Sequence, residues 1–251
     1  MAEEFVVGVN GVEEALRAGR GVNRVYIAKE SHARGVKHVV DLAKQHNVRF
    51  DYVPQAKLNE LTGTLDHQGI AAAVSPVEYV SLEACLAGCG RRAVLLALDR
   101  IQHPKNLGQM IRTAAGAGAA GVVVTSRGGA LLDRSVVRAS AGTVFRVPIV
   151  NSANLCQTLR ALKKEDFWVY GLDAHGSESA FHTAWGDRSV VVVGNESEGL
   201  RPGVRKICDA LVHIPMATEM DSLNASVAAG IALFQYRARS QPDDGSHRGA
   251  E

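Results

Sequence analysis

The sequence predicts an α/β protein in two parts, the larger built on a parallel sheet covered by helices on both faces. Three observations predict it. Continuous apolar runs recur along the second half of the chain: VLLALD (Val94 to Asp99), GVVVT (Gly121 to Thr125), FWVYGLD (Phe167 to Asp173), VVVVG (Val190 to Gly194) and ALVHIP (Ala210 to Pro215). Runs that are apolar throughout, rather than alternating, mark strands buried on both sides. Helical stretches lie between most of them, at about Gly108 to Ala117, Asp133 to Ala141, Asn154 to Lys164 and Ser222 to Arg239, which is the alternation of a parallel sheet. Finally, 251 residues at 46% hydrophobic content can bury a proper core, in one large domain or two small ones.

The front of the chain repeats the alternation on a smaller scale. VNRVYIA (Val22 to Ala28) reads as a strand, His32 to His46 as a helix and VRFDYV (Val48 to Val53) as a strand again. Pro54 and Gly63 bracket a short helix, and GIAAAV (Gly69 to Val74) closes the unit. Residues 1–75 are therefore expected as a small α/β domain. From 76 to 92 the pattern weakens, with Pro76, Gly88 and Gly90 as punctuation, and a linker is expected there. The large domain then runs from 93 to 240, and the polar tail 241–251 is expected to be disordered.

Composition excludes several classes. No apolar run approaches the roughly 20 residues that span a bilayer, and the start, MAEEFVV, carries acids where a signal peptide carries lysine or arginine. A cytoplasmic protein without membrane contact is expected. The four cysteines, Cys85, Cys89, Cys156 and Cys208, show no C-x-x-C pairing and no histidine at zinc-finger spacing, so they read as reduced small hydrophobes and no metal site is expected. A net charge of +2 does not announce a nucleic-acid binder, although arginines gathered on one face could serve one.

Gly116, Gly118 and Gly121 spell G-x-G-x-x-G, and Asp133 follows at a distance suited to a ribose-binding acid. A dinucleotide fingerprint must leave a strand and open a helix, because the helix N-terminus binds the pyrophosphate. Here the glycines end a helix and lead into a strand. They read as helix stop and turn, and Asp133 as an N-terminal helix residue, which removes the oxidoreductase reading.

Three segments remain. DRIQHPKNLGQMIRTA (Asp99 to Ala114) follows a strand; Pro104 and Asn106 are expected to delay the helix, Gly108 permits close backbone approach, and Arg112 falls about one turn in. That aims a guanidinium at the carboxyl end of the sheet, where α/β proteins place ligands, although an ordinary loop with Asn106 as N-cap and a solvated Arg112 fits as well. In VVVVGNESEGL (Val190 to Leu200) a buried strand empties into Gly194, Asn195 and Glu196, suited to holding a hydroxyl or cation, or to a polar turn. HIPMATEMDSLNASVAAGIALF (His213 to Phe234) begins a helix at Ser222 and Asn224 whose next turns are nearly all small. Such a face suits a second helix or a flat ligand.

In this order the three segments resemble the three signature motifs of the SpoU (TrmH-like) family of SPOUT-class RNA ribose 2′-O-methyltransferases. The resemblance covers Ala93 to Arg239, including RASAGTVFRVPI (Arg138 to Ile149). VGVNGVEEAL (Val7 to Leu16) and HQGIAAAV (His67 to Val74) are similar to the ribosomal-protein-L30-like (L30e-like) RNA substrate-binding domain that precedes the catalytic domain in the bacterial enzyme methylating a 23S rRNA guanosine. The resemblance implies a C-terminal domain with a deep trefoil knot, S-adenosylmethionine bound among the last motifs, a homodimer and RNA as partner. A tRNA substrate, or an idle RNA-binding scaffold, are the alternatives it leaves.

Residue by residue, the resemblance gives Arg112 to the ribose hydroxyl and Asn106 to its orientation. Glu196 and Asn195 would line the site, and Ser222 with Asn224 would complete it from the dimer partner. Gly194, Asn195, Ile214, Met216 and Leu223 would hold the cofactor, and no metal is implied. The sequence departs from the family pattern at His103, Ser197 and Thr218. RNA is expected to meet Arg17, Arg24, Arg34 and Lys37 in front, then Arg127, Arg134, Arg138 and Arg146. With 5% aromatic residues, phosphate contacts and shape should dominate over base stacking.

Overall fold

The front of the chain forms β1 (Glu4–Val7), α1 (Val9–Arg17), β2 (Val22–Ala28), α2 (Val36–Gln45), β3 (Arg49–Val53), α3 (Gln55–Thr62) and β4 (Ile70–Val74) in a computed structural model of the protein. The structure describes residues 4–17, 22–29, 31, 35–74, 77–217 and 223–240. These strands make a four-stranded sheet in the order β1-β4-β2-β3, parallel only between β2 and β3. Successive side chains point to opposite faces. Val25, Ile27, Ile70 and Ala72 therefore pack beneath α1 and α2, while Tyr26, Ala28, Ala71 and Ala73 meet Leu58 of α3 on the other side. Both faces being covered, β4 can be apolar throughout.

The remaining elements are α4 (Leu82–Ala87), β5 (Ala93–Leu98), α5 (Pro104–Ala117), β6 (Gly121–Thr125), α6 (Arg134–Ala139), a 3-10 turn (Thr143–Phe145), β7 (Ile149–Ser152), α7 (Leu155–Lys164), β8 (Trp168–Leu172), β9 (Glu178–Ser179), β10 (Arg188–Val193), α8 (Pro202–Arg205), β11 (Ala210–His213) and α9 (Ala225–Ser240). Their strands form a seven-stranded parallel sheet, β7-β6-β5-β10-β8-β11-β9. Along β5, Val94, Leu96 and Leu98 face the core shared with α5, α6 and α9. Ala93, Leu95 and Ala97 face the core under α4 and α7. No helix among the described residues is long and apolar enough to cross a membrane.

Several elements differ from the sequence expectation. Helix α5 starts at Pro104 rather than about Gly108, with His103 at the cap position and Asn106 inside the first turn. Proline lacks only an N–H that the first helical turn leaves unpaired anyway, and its fixed φ suits that turn, so Pro104 begins the helix instead of delaying it. The stretch expected as a linker contains α4, capped by the Ser81 hydroxyl accepting from Ala84 N at 3.1 Å. Its Cys85 is buried against the sheet, as is Val77. Gly118 does end α5, with φ 77°, and the carboxylate of Asp133 caps α6 by accepting from Ser135 N and Val136 N. The tail 241–251 and residues 32–34 at the start of the expected His32 helix lie outside the described residues.

Candidate active site

The carboxyl ends of β5, β10 and β11 open into one cleft of about 1350 Å³. The sheet order puts β10 beside β5, so the loop after β10 is laid across the loop that leads into α5. Of the ten residues singled out from the sequence, eight line this cleft: Asn106, Gly194, Asn195, Glu196, Ile214, Met216, Leu223 and Asn224. Ser222 and Thr218 lie outside the described residues. Arg112 is exposed and does not line the cleft.

A chain of side-chain bonds joins the three segments. The carboxylate of Glu196 accepts from Asn106 Nδ2 at 3.0 Å, from Gln102 N at 3.2 Å and from His103 N at 3.3 Å. Asn106 in turn accepts from Asn224 Nδ2 of the same chain at 3.3 Å, so Asn224 joins its own chain's cleft rather than a partner's as expected, because α9 returns onto α5. Asn224 also takes the cap position ahead of α9, accepting from Ser226 N at 2.8 Å. Partial burial pushes the Glu196 carboxyl up, but the bonds from Asn106 and from the backbone of Glu196 itself, Gln102 and His103 outweigh it and hold the group below its ordinary value. A charged Glu196 thus faces the N-terminus of α5, where the helix dipole favours an anion.

Asn195 is spent on the loop itself. Its Nδ2 donates to Arg100 O at 2.8 Å, and its Oδ1 accepts from Ser197 N at 2.9 Å and Glu198 N at 3.1 Å. Gly194 is packed so closely that a Cβ there would lie 2.2 Å from the carbonyl carbon of Gly199. Arg100 stands in the left-handed region at φ 61°, which costs a branched or long side chain energy unless its surroundings hold it. Its N donates to Thr125 Oγ1 at 3.1 Å and its guanidinium to Glu198 at 2.6 Å.

Arg112 sits elsewhere than expected because the helix begins earlier. It lies six residues after Asn106 on α5, about 9 Å further along the axis, not within one turn of the loop. Its neighbours on the helix, Gln109 and Thr113, face α9: Ser226 Oγ donates to Gln109 Oε1 at 3.1 Å, and a Cβ on Gly230 would meet Thr113 at 3.3 Å. The small residues of α9 are explained by this packing against α5. Ala229 and Ala232 are fully buried there, whereas Val227 and Phe234 are half exposed.

The sequence reading missed Asp99, Arg100 and Arg201 as residues that hold the two loops together. The available signal was an acid at the end of an uninterrupted apolar run, since a buried carboxylate needs a partner. At the far end of the cleft, Asp173 pairs with Arg205, and His103 lines the near rim. Of the cations expected to meet RNA, Arg17 pairs with Glu13 and Arg24 with Asp51. Lys37, Arg127, Arg138 and Arg146 are exposed, while Arg34 and the side chain of Arg134 lie outside the described residues. Burial first of all pushes the Cys85 thiol up to about 11 and the Cys208 thiol up to about 12, as befits packing residues. No group of three or more potential metal ligands occurs among the described residues.

The SpoU rRNA Methylase family matches residues 93–234, and the RNA 2′-O ribose methyltransferase substrate-binding family matches residues 5–80. A Bacillus subtilis (strain 168) protein named as a TrmH family tRNA/rRNA methyltransferase, YacO, is 34% identical over 241 residues, covering 94% of this chain and 96% of its own. The crystal structure of the SpoU methyltransferase AviRb from Streptomyces viridochromogenes, in complex with AdoMet, superposes with a TM-score of 0.61 at 25% identity, covering 95% of this chain and 90% of that one. An AdoMet-bound rRNA methyltransferase from Sinorhizobium meliloti gives 0.60 at 26% identity, covering 95% and 88%.

Proposed function

The chain belongs to the SpoU family of S-adenosylmethionine-dependent RNA methyltransferases, and from that premise we propose that it methylates the ribose 2′-hydroxyl of a guanosine in 23S rRNA. The observation that carries the reading is the relay Asn224, Asn106, Glu196, which joins all three motifs at one cleft. A tRNA substrate is the second reading, favoured by the tRNA/rRNA name of the Bacillus subtilis relative.

The residues present fit the cofactor. Ile214, Met216 and Leu223 offer an apolar wall for a flat ring, and the bare backbone at Gly194 lets a ligand approach the strand end. When bound, the cofactor supplies an electrophilic methyl group on a sulfonium. Glu196 holds Asn106 and the first turn of α5 in place, so that Asn106 can orient the substrate ribose beside the cleft. Arg112 offers the planar donor fork of a guanidinium and stabilises the oxyanion that develops on the ribose. The 2′-hydroxyl proton leaves to a neighbouring RNA phosphate.

Arg112 reaches a cleft when two copies pair through α9, each arginine serving the other copy's site. The half-exposed Val227 and Phe234, on the helix beside Arg112, support this arrangement. In the same reading the chain after β10 forms the knotted segment, supported by the tight seating of Gly194 against Gly199 and Leu200 and by α9 returning onto α5. Residues 1–75 would deliver the RNA, and 93–240 would carry out the transfer.

The test is methyl transfer from labelled cofactor to unmodified 23S rRNA and tRNA transcripts, with the position mapped by blocked alkaline cleavage. Transfer to tRNA alone would overturn the rRNA assignment. No transfer to either, with RNA bound, would leave an idle scaffold.

A further inference from the structure

A second cleft, of about 420 Å³, lies between the two sheets. Its walls come from the C-terminal end of α2 and from the junction of β7 with α7, closed below by the segment around Tyr79. That segment is stapled to both sides. Val80 N donates to Ile149 O at 2.9 Å and Val80 bridges Val150. The Tyr79 hydroxyl donates to Asn23 Oδ1 at 2.7 Å, Asn23 itself being buried. The cleft is therefore formed before any ligand arrives, and its volume falls in the range of about 300 to 1,000 Å³ usual for ligand sites.

Its chemistry is selective. The apolar part is Tyr79, Leu82 and Val22, a flat ring with aliphatic neighbours. The polar part includes Asn47, Asn151 and Gln157, and the Oδ1 of Asn151 is buried without a hydrogen-bond partner. Leaving such an acceptor unpaired is unfavourable, and a ligand donor would relieve it. No lysine or arginine occurs among the described residues that line the cleft, and the one acid there is Glu83. A phosphate would find no lysine or arginine there, His46 being the one basic side chain on the lining. A neutral planar group with donors along its edge would find a ring to stack on and amides to read it.

We propose that this cleft is a subsite for one unpaired base of the RNA substrate, flanking the nucleotide that is methylated. The assignment rests on the RNA methyltransferase reading above. The cleft opens at the carboxyl end of β7, on the same edge of the sheet as the active site. With β6 between them, β7 lies two strand spacings, about 10 Å, from β5. A single strand lying along that edge would cross both sites. Sequence-specific recognition of RNA works in this way, by splaying out an unpaired base, stacking it on an aromatic side chain and bonding its edge.

The experiment uses an unmodified 23S rRNA transcript. Asn151→Ala and Gln157→Ala are expected to raise both the Kd and the KM for this RNA about tenfold, the effect of losing one stacked and bonded base. The values of kcat and of cofactor Kd should stay at wild type, which a general loss of structure would not allow. Ultraviolet crosslinking of the wild-type complex should join RNA to peptides spanning 79–83 or 151–158. Unchanged Kd and KM in both variants overturn the subsite, even where the wild-type enzyme methylates the transcript. Absence of RNA binding by the wild-type protein overturns the RNA reading and the subsite together.

Discussion

Arg201 closes over Asp99 with three bonds: its Nη2 lies 2.6 Å and its Nε 2.7 Å from Oδ1, and its backbone N 3.0 Å from Oδ2. Asp99 directly follows β5 and is fully buried, while the Arg201 side chain keeps 38% of its surface. The pair thus ties the loop before α5 to the end of the loop after β10. The asymmetry of burial sets the prediction. Arg201→Ala leaves a buried carboxylate without its cation and is expected to cost on the order of 3 to 5 kcal/mol. Asp99→Ala leaves an arginine that can turn to solvent, and should cost on the order of 1 to 3 kcal/mol. Urea denaturation of both variants checks this; equal losses would mean that the pair is held by packing alone.

Gly194→Ala should abolish cofactor binding. The added methyl would sit 2.2 Å from the carbonyl carbon of Gly199 and 2.3 Å from Leu200 N, both backbone atoms that cannot rotate aside. Displacing that loop in a packed site costs about 1 to 3 kcal/mol, so the protein still folds while the floor of the cleft moves. Calorimetry with S-adenosylmethionine gives the answer, and wild-type affinity would remove Gly194 from the site.

The five long apolar runs were legible as strands because burial on both faces writes them without alternation, and the direction of the glycine motif was legible because Gly118 ends a helix. Short elements were not. The strands β1 and β7 have four residues each, no more than two strand periods, and α4 has six, less than two helical turns. Asn106, Glu196 and Asn224 were named from motifs, yet their mutual bonds depend on β10 lying beside β5, a pairing across about 90 residues that no local signal encodes. Arg112 departs from its expected place for a local reason: a proline can hold off a helix or begin one, and Pro104 begins it. Asp99 and Arg201 escaped because each is ordinary alone.

Stability should fall on the acid side through Glu196. Burial raises its carboxyl, and the bonds from Asn106 and from backbone N–H groups lower it more, leaving the folded group below 4.5. A group depressed on folding contributes stability that is present above its unfolded value and lost as pH falls through the folded one. The stability difference between wild type and Glu196→Gln is therefore expected to be full near pH 7 and to shrink below about 4.5. Denaturant titrations from pH 7 to pH 3 follow it. A difference constant over that range would mean that the charge of Glu196 contributes nothing.

The reach of Arg112 decides where the active site is. Within one chain it is exposed on α5, outside the cleft that holds Asn106 and Glu196, and under the proposed pairing through α9 it serves the other copy's cleft. Arg112→Ala is then expected to lower kcat a hundred- to a thousandfold, about 2.7 to 4 kcal/mol, without changing cofactor affinity. Charge on α9 should have a related effect if the copies pair there: Phe234→Glu, at a half-exposed position, should give a folded monomer by light scattering with the same loss of kcat. The decisive measurement mixes two inactive proteins. Arg112→Ala retains a sound cofactor cleft, and Gly194→Ala retains Arg112. After unfolding and refolding together, half of the dimers pair one chain of each kind and carry one complete site, so about a quarter of wild-type activity should return. A mixture as inactive as its components would place Arg112 in its own chain's site or in none.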